Sequence, residues 1–546
     1  MTHSVPWPYG AEMATRGSLA ESLEESGHWL QALQCLLHEI RSGHLDDAQT
    51  WHTIGRLHQR LGHLPQACRA YAAALLLDPH RPRTCNNLAL LELGRLNEAA
   101  AERWLMQGLA CQPLPIDDEE LLQATACDLR LFQLRPDLAL GHVERQLGRR
   151  ESVMALANRA VCLHKLSRLP EAVVAQERAI RLHVAQRAPA LLEAAFVDLV
   201  GQPCADLASS MQLQTQLMNL ALYKLSLDGQ DSAGLRLLLA GTSHDQDYWQ
   251  DPRRRQSRWD GECCQQLIIW DDQGFGDTLQ NLGWIAEAAR RACSLRIWLR
   301  PALLPLVRAC LPLPSNCQLE ALYSHASPWG KGASQIGFFF LPIVLNQWSP
   351  QGAARQAYLK PTPEVKSRFV DAEPKLRRLG LVWSAGRHKA PQPERSARVR
   401  DVPRQAFFQL AQQWRKHHQV SLISLQLDGH DEAPVRSLIE SGVLEQPLHS
   451  TDWLQTAGVL ESIDLLVSVD TSVAHLAGAL GIPTVLMLSA PADWRWGQTG
   501  RKTFLYDAMR LVRCADPGDW SQALRQADQE VNSWFSSIRS EQQFAS

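Results

Sequence analysis

Asp470, Thr471, Ser472 and His475 combine residue types and a spacing suited to holding an anion. They follow an apolar run, Leu465 to Val469, suited to a strand buried on both faces, and they open a short helix that Gly481-Ile482-Pro483 ends before the next apolar run. Thr471 or Ser472 can cap that helix, and the free N–H groups of its first turn favour a negatively charged ligand. His475 lies four residues after Thr471 and so faces the same rim. A strand–turn–helix–strand unit of this kind belongs to a parallel sheet, and the rim falls at the carboxyl end of its strand, where open α/β sheets bind ligands. A capped helix start with an ordinary part-buried histidine accounts for the same residues, and the pattern alone does not choose.

A second rim follows the short apolar strand Leu267 to Trp270. The turn Asp271-Asp272-Gln273-Gly274-Phe275-Gly276-Asp277 opens a helix expected over Thr278 to Ala292. Gly274 and Gly276 let the backbone approach a ligand closely, and Asp277 or Thr278 can cap the helix. A carboxylate on such a turn can also take a proton from a hydroxyl, so Asp277 is either a cap or a general base, with Asp271 and Asp272 as neighbouring substitutes. A third stretch, Ser384 to Arg398, is a long Gly- and Pro-bearing loop after the strand Gly380 to Trp383, and it holds the cations Arg387, Lys389, Arg395 and Arg398.

The elements that position these rims occupy the C-terminal half. From Gly27 to Ala240 the chain is helical in pattern and repeats. Trp51, Ile54-Gly55, His58, Gly62, Ala67, Tyr71, Ala74 and Asp78-Pro79 fall on the positions of a 34-residue helical hairpin of the tetratricopeptide type. Asn86 to Met106 fits the same unit with two residues missing, Ala155 to Leu182 makes another, and Asn219 to Ala240 a worn last one. Leu114 to Arg150 keeps helical period without the signature. Stacked hairpins leave a concave surface that commonly holds a peptide or protein, although a spacer role is also open. Strands are expected at Arg296 to Leu299, Gly337 to Leu341 and Val420 to Leu425, and helices at Asp452 to Glu461 and Ser521 to Phe535.

With 546 residues and 45% hydrophobic content the chain can fill several cores. Its 55 basic and 57 acidic side chains leave a net charge of −2, which argues against a nucleic-acid or polybasic membrane surface. No run is long enough for a transmembrane helix and the N-terminus lacks the pattern of a signal peptide, so a cytoplasmic location is the default expectation. The thirteen cysteines are scattered without a Cys-x-x-Cys and read as reduced thiols, with no metal site.

From Trp259 to about Trp520 the chain resembles the catalytic domain of bacterial tetratricopeptide-repeat glycosyltransferases related to family 9, the heptosyltransferase-like group. The resemblance rests on Trp259-Asp-Gly261, Gln273-Gly-Phe-Gly-Asp-Thr-Leu-Gln280, Leu341-Pro342, Tyr358-Leu359, Gly380-Leu-Val-Trp383 with His388-Lys389 and Arg395-Ser396, Val469 to Pro483, Asp493-Trp-Arg-Trp496 and Pro517-Gly-Asp-Trp520. The sequence departs from the family pattern at Asp272, where glutamate is usual, at Gly283-Trp284, and at Lys502 to Tyr506. The resemblance implies a GT-B fold, two Rossmann-like halves facing a cleft, behind an all-α tetratricopeptide-repeat solenoid. The expected organisation is a disordered lead-in at 1–26, repeats at 27–240, a linker at 241–262, the acceptor-side half at 263–375 and the nucleotide-sugar half at 376–546.

It further implies a metal-independent, inverting transferase that moves a sugar from a nucleotide diphosphate sugar to a hydroxyl, with no other cofactor. Asp277 would be the base. Lys389, Arg395, Asp470, Thr471, Ser472 and His475 would hold the donor, cations and a helix end offsetting its diphosphate charge. Gly274, Gly276, Thr278 and Gln280 would form the cleft loop, and the repeats would present a protein or peptide acceptor. A non-catalytic scaffold with a degenerate GT-B domain, or a transferase acting on a glycan, are the alternatives.

Overall fold

The computed structural model describes residues 16–44, 46–202, 207–241, 257–322, 332–349, 356–363, 376–385, 400–427, 433–448 and 452–545. The N-terminal part is an all-α array of tetratricopeptide type. Helices Ala48–Arg60 and Leu64–Leu77 form the hairpin with the full signature. Asp47 caps the first by accepting from Thr50 N at 2.7 Å, and Gly62 makes the turn in the left-handed region at φ 75°. The small position of the repeat has a direct cause: a Cβ at Gly55 would stand 2.5 Å from the ring of Tyr71. Helices Pro82–Gly94 and Glu98–Leu109 follow. The segment that kept only helical period forms a further hairpin, Ile116–Phe132 with Pro136–Arg149. Arg16–Glu25, inside the stretch expected as a lead-in, and Trp29–Arg41 precede Ala48–Arg60, and Val153–Lys165, Leu169–Arg187, Leu207–Leu227 and Ser232–Gly241 complete the helices. No described helix is long and apolar enough to cross a membrane.

The chain divides into two compact units, residues 1–162 and 163–546. The second holds the last repeat helices together with the whole α/β part. Residues 1–15 of the expected lead-in and 242–256 of the expected linker lie outside the described residues. From 257 the chain already joins a sheet. Trp259 N donates to Gln335 O at 2.8 Å, and the buried Trp259 indole donates to Glu262 O at 2.7 Å.

Two parallel sheets follow. The first comprises β1 (Cys264–Trp270), β2 (Ala292–Leu299), β3 (Cys317–Ala321) and β4 (Ser334–Gly337) in the order β3-β2-β1-β4. The second comprises β5 (Arg377–Val382), β6 (Val420–Ser424), β7 (Leu444–Glu445), β8 (Leu465–Val469), β9 (Thr484–Leu488) and β10 (Met509–Arg513) in the order β10-β9-β8-β5-β6-β7. Each is wound outward from its first strand and then back to the other side, a doubly wound, Rossmann-like plan. The winding reverses between β1 and β4 and between β5 and β8. All residues of β8 and β9 are buried, as a sheet covered on both faces requires. Trp383, Phe407, Phe408, Trp414 and Phe535 fill one side of the second sheet, and the final helix, Ser521–Ala545, is tied down by Trp414 Nε1 donating to Asp528 at 2.9 Å.

Two expectations need correction. The run Gly337 to Leu341 is not a strand. β4 ends at Gly337, and Phe338–Phe340 is a 3-10 turn leading into the helical turn Leu341–Val344, because a short buried apolar run has no period to distinguish strand from helix. The helix expected over Thr278 to Ala292 starts earlier and is broken, as Phe275–Asn281, a 3-10 turn at Leu282–Trp284 and Ile285–Arg290.

Candidate active site

Both rims found in the sequence sit at the reversals of winding. On the second sheet, Asp470 to Ser472 follow β8, next to β5. Thr471 is the N-cap of helix Ser472–Leu480, extended at φ −145°, and its hydroxyl accepts from Ala474 N; Gly481, at φ 77°, ends the helix. Across the reversal, the backbone after β5 is held by Gln426, whose Oε1 accepts from Trp383 N at 3.3 Å and Ser384 N at 3.2 Å. Lys389 and Arg395 lie outside the described residues. Arg400, at the far end of that loop, donates to the Asp470 carbonyl at 3.3 Å, so a cation that sequence reading had not singled out stands at this reversal.

On the first sheet, Asp271 is clamped by Arg300, whose Nε and Nη2 reach its two oxygens at 2.5 and 2.6 Å. Thr278 is buried and donates to Asp271 at 2.6 Å. Asp272 accepts from Phe339 N at 3.2 Å while its other oxygen, buried and without a hydrogen-bond partner among the described residues, presses on Gly337. Burial pushes its carboxyl up to about 8, and Asp277 and Asp271 add to the shift. Asp277 is the third residue of helix Phe275–Asn281, and its Oδ2 accepts from Gly274 N at 2.9 Å, one arm of a capping box. The Gln280 side chain is buried, with its oxygen unpartnered among the described residues.

The two rims touch. A Cβ at Gly276 would lie 3.0 Å from His475 Cδ2 and 3.4 Å from Ser472 Oγ, so the absence of a side chain lets the first-sheet turn lie directly on the start of the second-sheet helix. Phe275 also meets Trp453, ring centroids 5.2 Å apart. Tyr358, half-buried, donates to the carbonyls of Leu279 and Gln280 at 2.7 and 3.1 Å and is hydrogen-bonded to Tyr506. Tyr506 in turn lies 3.0 Å from His475 Nδ1.

His475 is therefore more enclosed than its place on a rim suggested. Its ring stacks on Trp496 at 5.1 Å and 22°, and Nε2 is 4.0 Å from Asp470. Burial, with Arg495 nearby, pushes the imidazole down to about 3, so it is neutral at pH 7. Asp470 is raised by burial and by Asp493, against the pull of Arg400, Arg495 and the Trp496 indole.

Arg495 is the feature that sequence reading passed over. The turn Trp494–Trp496 places its Nη1 2.8 Å from Asp277 Oδ1 and its Nε 3.2 Å from Asp493. Burial works against its charge, but Asp493, Asp277 and Asp470 outweigh burial and hold the guanidinium firmly protonated. One cation thus sits among three carboxylates where the two halves meet. The signal in the sequence was only the motif Asp493-Trp-Arg-Trp496, which carried resemblance and no assigned role.

Comparison with known proteins adds likeness of fold. No family model matches the chain, and no curated protein matches it. Among solved structures, E. coli ADP-heptose lps heptosyltransferase II is 13% identical with a TM-score of 0.34, covering 50% of this chain and 99% of its own. The glycosyl transferase family 9 protein from Veillonella parvula is 8% identical with a TM-score of 0.36, covering 51% and 99%. Pseudomonas aeruginosa pilF is 14% identical with a TM-score of 0.28, covering 42% and 96%. The first two align with the C-terminal half and the third with the N-terminal repeats.

Proposed function

We propose that the α/β half is a glycosyltransferase that moves a sugar from a nucleotide diphosphate sugar to an acceptor hydroxyl. The observation that carries this reading is the contact of Gly276 with Ser472 and His475, which joins a carboxylate-bearing turn to a capped helix start at the winding reversals of two facing sheets. The diphosphate would lie at the N-terminus of helix Ser472–Leu480, against Thr471 and Ser472, where free N–H groups and the helix dipole favour negative charge. Lys389, Arg395 and Arg400 would offset the rest. Asp277 would take the acceptor hydroxyl's proton as its oxygen bonds to the anomeric carbon and the bond from that carbon to the diphosphate oxygen breaks, releasing a nucleoside diphosphate with inversion. Arg495 stands beside Asp277, and an arriving diphosphate would compete for that guanidinium and loosen its hold on the base.

The repeats would present a protein acceptor, and the reading places the protein in the cytoplasm, with no metal assigned. A screen of nucleotide sugars with mass detection of released nucleoside diphosphate, with and without candidate protein and glycan acceptors, tests it. A second reading is a scaffold without catalysis. It is favoured by the engagement of Asp277 in this structure, with Gly274 N–H hydrogen-bonded to one oxygen and Arg495 in an ion pair with the other. No nucleoside diphosphate release from any sugar nucleotide in that screen would select it.

A further inference from the structure

The turn that carries Arg495 faces three ways. Arg495 goes to Asp277. Trp496 stacks on His475 and donates from its indole to Asp470. Trp494 is buried in an aromatic set: its ring lies 4.9 Å from that of Trp348 and 6.5 Å, edge-on, from that of Phe339, over whose ring the Arg495 guanidinium also sits at 5.5 Å. Trp348 in turn packs edge-on against Phe504 at 5.3 Å. The indole N–H of Trp348 is not spent on the α/β half. It donates at 2.9 Å to the carbonyl of Gly229, in the turn between the repeat helices Leu207–Leu227 and Ser232–Gly241.

Gly229 also lies against the backbone of the Arg495 turn, since a Cβ there would meet Trp494 O at 3.5 Å, and helix Leu207–Leu227 packs on that turn. His164, bonded to Ser226 on the same helix at 3.1 Å, is close enough to Asp493 to feel its charge. The last repeat hairpin is thus built against the loop that holds the guanidinium on the candidate base.

We propose that Trp348 is a positioning residue for the Arg495–Asp277 pair, acting from the last repeat hairpin through Trp494. The physical argument is one of enclosure. A three-residue 3-10 turn has little stability of its own, so the place of Arg495 is set by what holds its flanks. On the C-terminal flank Arg513 donates to the carbonyls of Trp496 and Gly497 at 2.7 and 2.8 Å. On the N-terminal flank the ring of Trp494 is held by Trp348, and Trp348 is fixed by Gly229. A shift of the repeat hairpin therefore moves Arg495 relative to Asp277, which gives acceptor engagement on the repeats a route to the base. The role in catalysis rests on the proposed transferase reading; the mechanical link does not.

The test uses the full chain and two readouts. Trp348→Ala removes both the stacking and the N–H, and Trp348→Phe keeps a ring but loses the bond to Gly229, covering the case in which the alanine variant fails to fold. Amide hydrogen exchange of residues 274–281 and 493–497 is expected to rise at least about threefold in Trp348→Ala and less in Trp348→Phe, with β8 and β9 unchanged. Turnover is expected to fall about 10-fold to 100-fold with donor KM within about twofold, because misplacement by an ångström alters the chemical step more than ground-state binding. Unchanged exchange at 274–281 in a folded variant overturns the link. Raised exchange with wild-type kcat keeps the link and overturns the positioning role. If the wild-type chain transfers no sugar, the transferase reading falls while the exchange result still decides the link.

Discussion

Arg495 Nη1 lies 2.8 Å from Asp277 Oδ1, with the two side chains 19% and 15% exposed, and this pair joins the two halves at the point where sequence and topology both place a ligand. Such a pair is neither a solvated surface bridge nor a fully buried one. Arg495→Met leaves Asp277, Asp493 and Asp470 close together without their shared cation. The expected loss at pH 8 is about 1–3 kcal/mol, after allowance for partial solvent screening. Denaturant unfolding of the variant and the wild type at pH 8 checks the size.

The contact of Gly276 with the opposite rim makes a sharper prediction about space. Gly276→Ala puts a methyl 3.0 Å from His475 Cδ2, and His475 cannot retreat because Trp496 and Tyr506 hold it. Overpacking of this sort costs about 1–3 kcal/mol. Gly141, inside helix Pro136–Arg149 with nothing within 4 Å of its Cβ position, is the control. Gly141→Ala is expected to stabilise by about 0.5–1 kcal/mol, since glycine costs backbone entropy in a helix interior. Melting curves of the two variants should move in opposite directions.

Asp272 gives a pH dependence of known sign. Its carboxyl is held up to about 8 in the folded chain, chiefly by burial, against about 3.9 when unfolded. Between those values the unfolded state is the more ionised, so wild-type stability is lost through this group as pH rises from about 4 towards 8. Asp272→Asn, which keeps an uncharged oxygen for Phe339 N, should therefore gain on wild type as pH rises, with little difference at pH 4. The buried His475 acts in the opposite sense: with its folded value lowered to about 3, stability is lost as pH falls from about 6.5 towards 3. Thermal denaturation across pH 4 to 8 separates the two slopes.

Thr471 is both a cap and, in the proposed function, a donor contact. Thr471→Val is expected to cost about 1 kcal/mol of stability through the lost cap. It is also expected to weaken nucleoside diphosphate binding about tenfold, through the loss of one hydrogen bond to a charged ligand. Calorimetric titration of the folded variant with a nucleoside diphosphate reads the second effect, and unchanged affinity would place the donor away from this helix.

The strand β8, the helix after it and the Thr471 cap were legible because four apolar residues in a run of five, a capping hydroxyl and Gly481-Ile-Pro483 all act within one short stretch. The repeat hairpin at Ala48–Leu77 was legible for a similar reason, its small Gly55 and large Tyr71 meeting across one short hairpin. The enclosure of His475 was less visible, since it comes from Trp496 and Tyr506, which are brought in by tertiary packing. Arg495 was not legible as a partner of Asp277 at all: a single arginine between two tryptophans has no period, and the two segments meet only once both sheets are closed. Phe338 to Phe340 misled because a run of three aromatics, two of them buried, satisfies a strand and a helical turn equally. The expectation of one unbroken helix passed over Gly283, which lies in the 3-10 turn Leu282–Trp284.

Asp277→Asn tests the account most directly. Asparagine keeps an oxygen for the Gly274 N–H and a neutral neighbour for Arg495, but it cannot take up the proton. The measurement is turnover of a nucleotide sugar, by mass detection of nucleoside diphosphate and glycosylated acceptor, in wild type and variant, together with nucleoside diphosphate affinity by calorimetry. The account predicts a fall in kcat of about 10²–10⁴-fold with donor affinity near wild type. An asparagine variant that keeps most of the wild-type rate would contradict it, leaving Asp277 as the helix cap and ion-pair partner it already is in the structure.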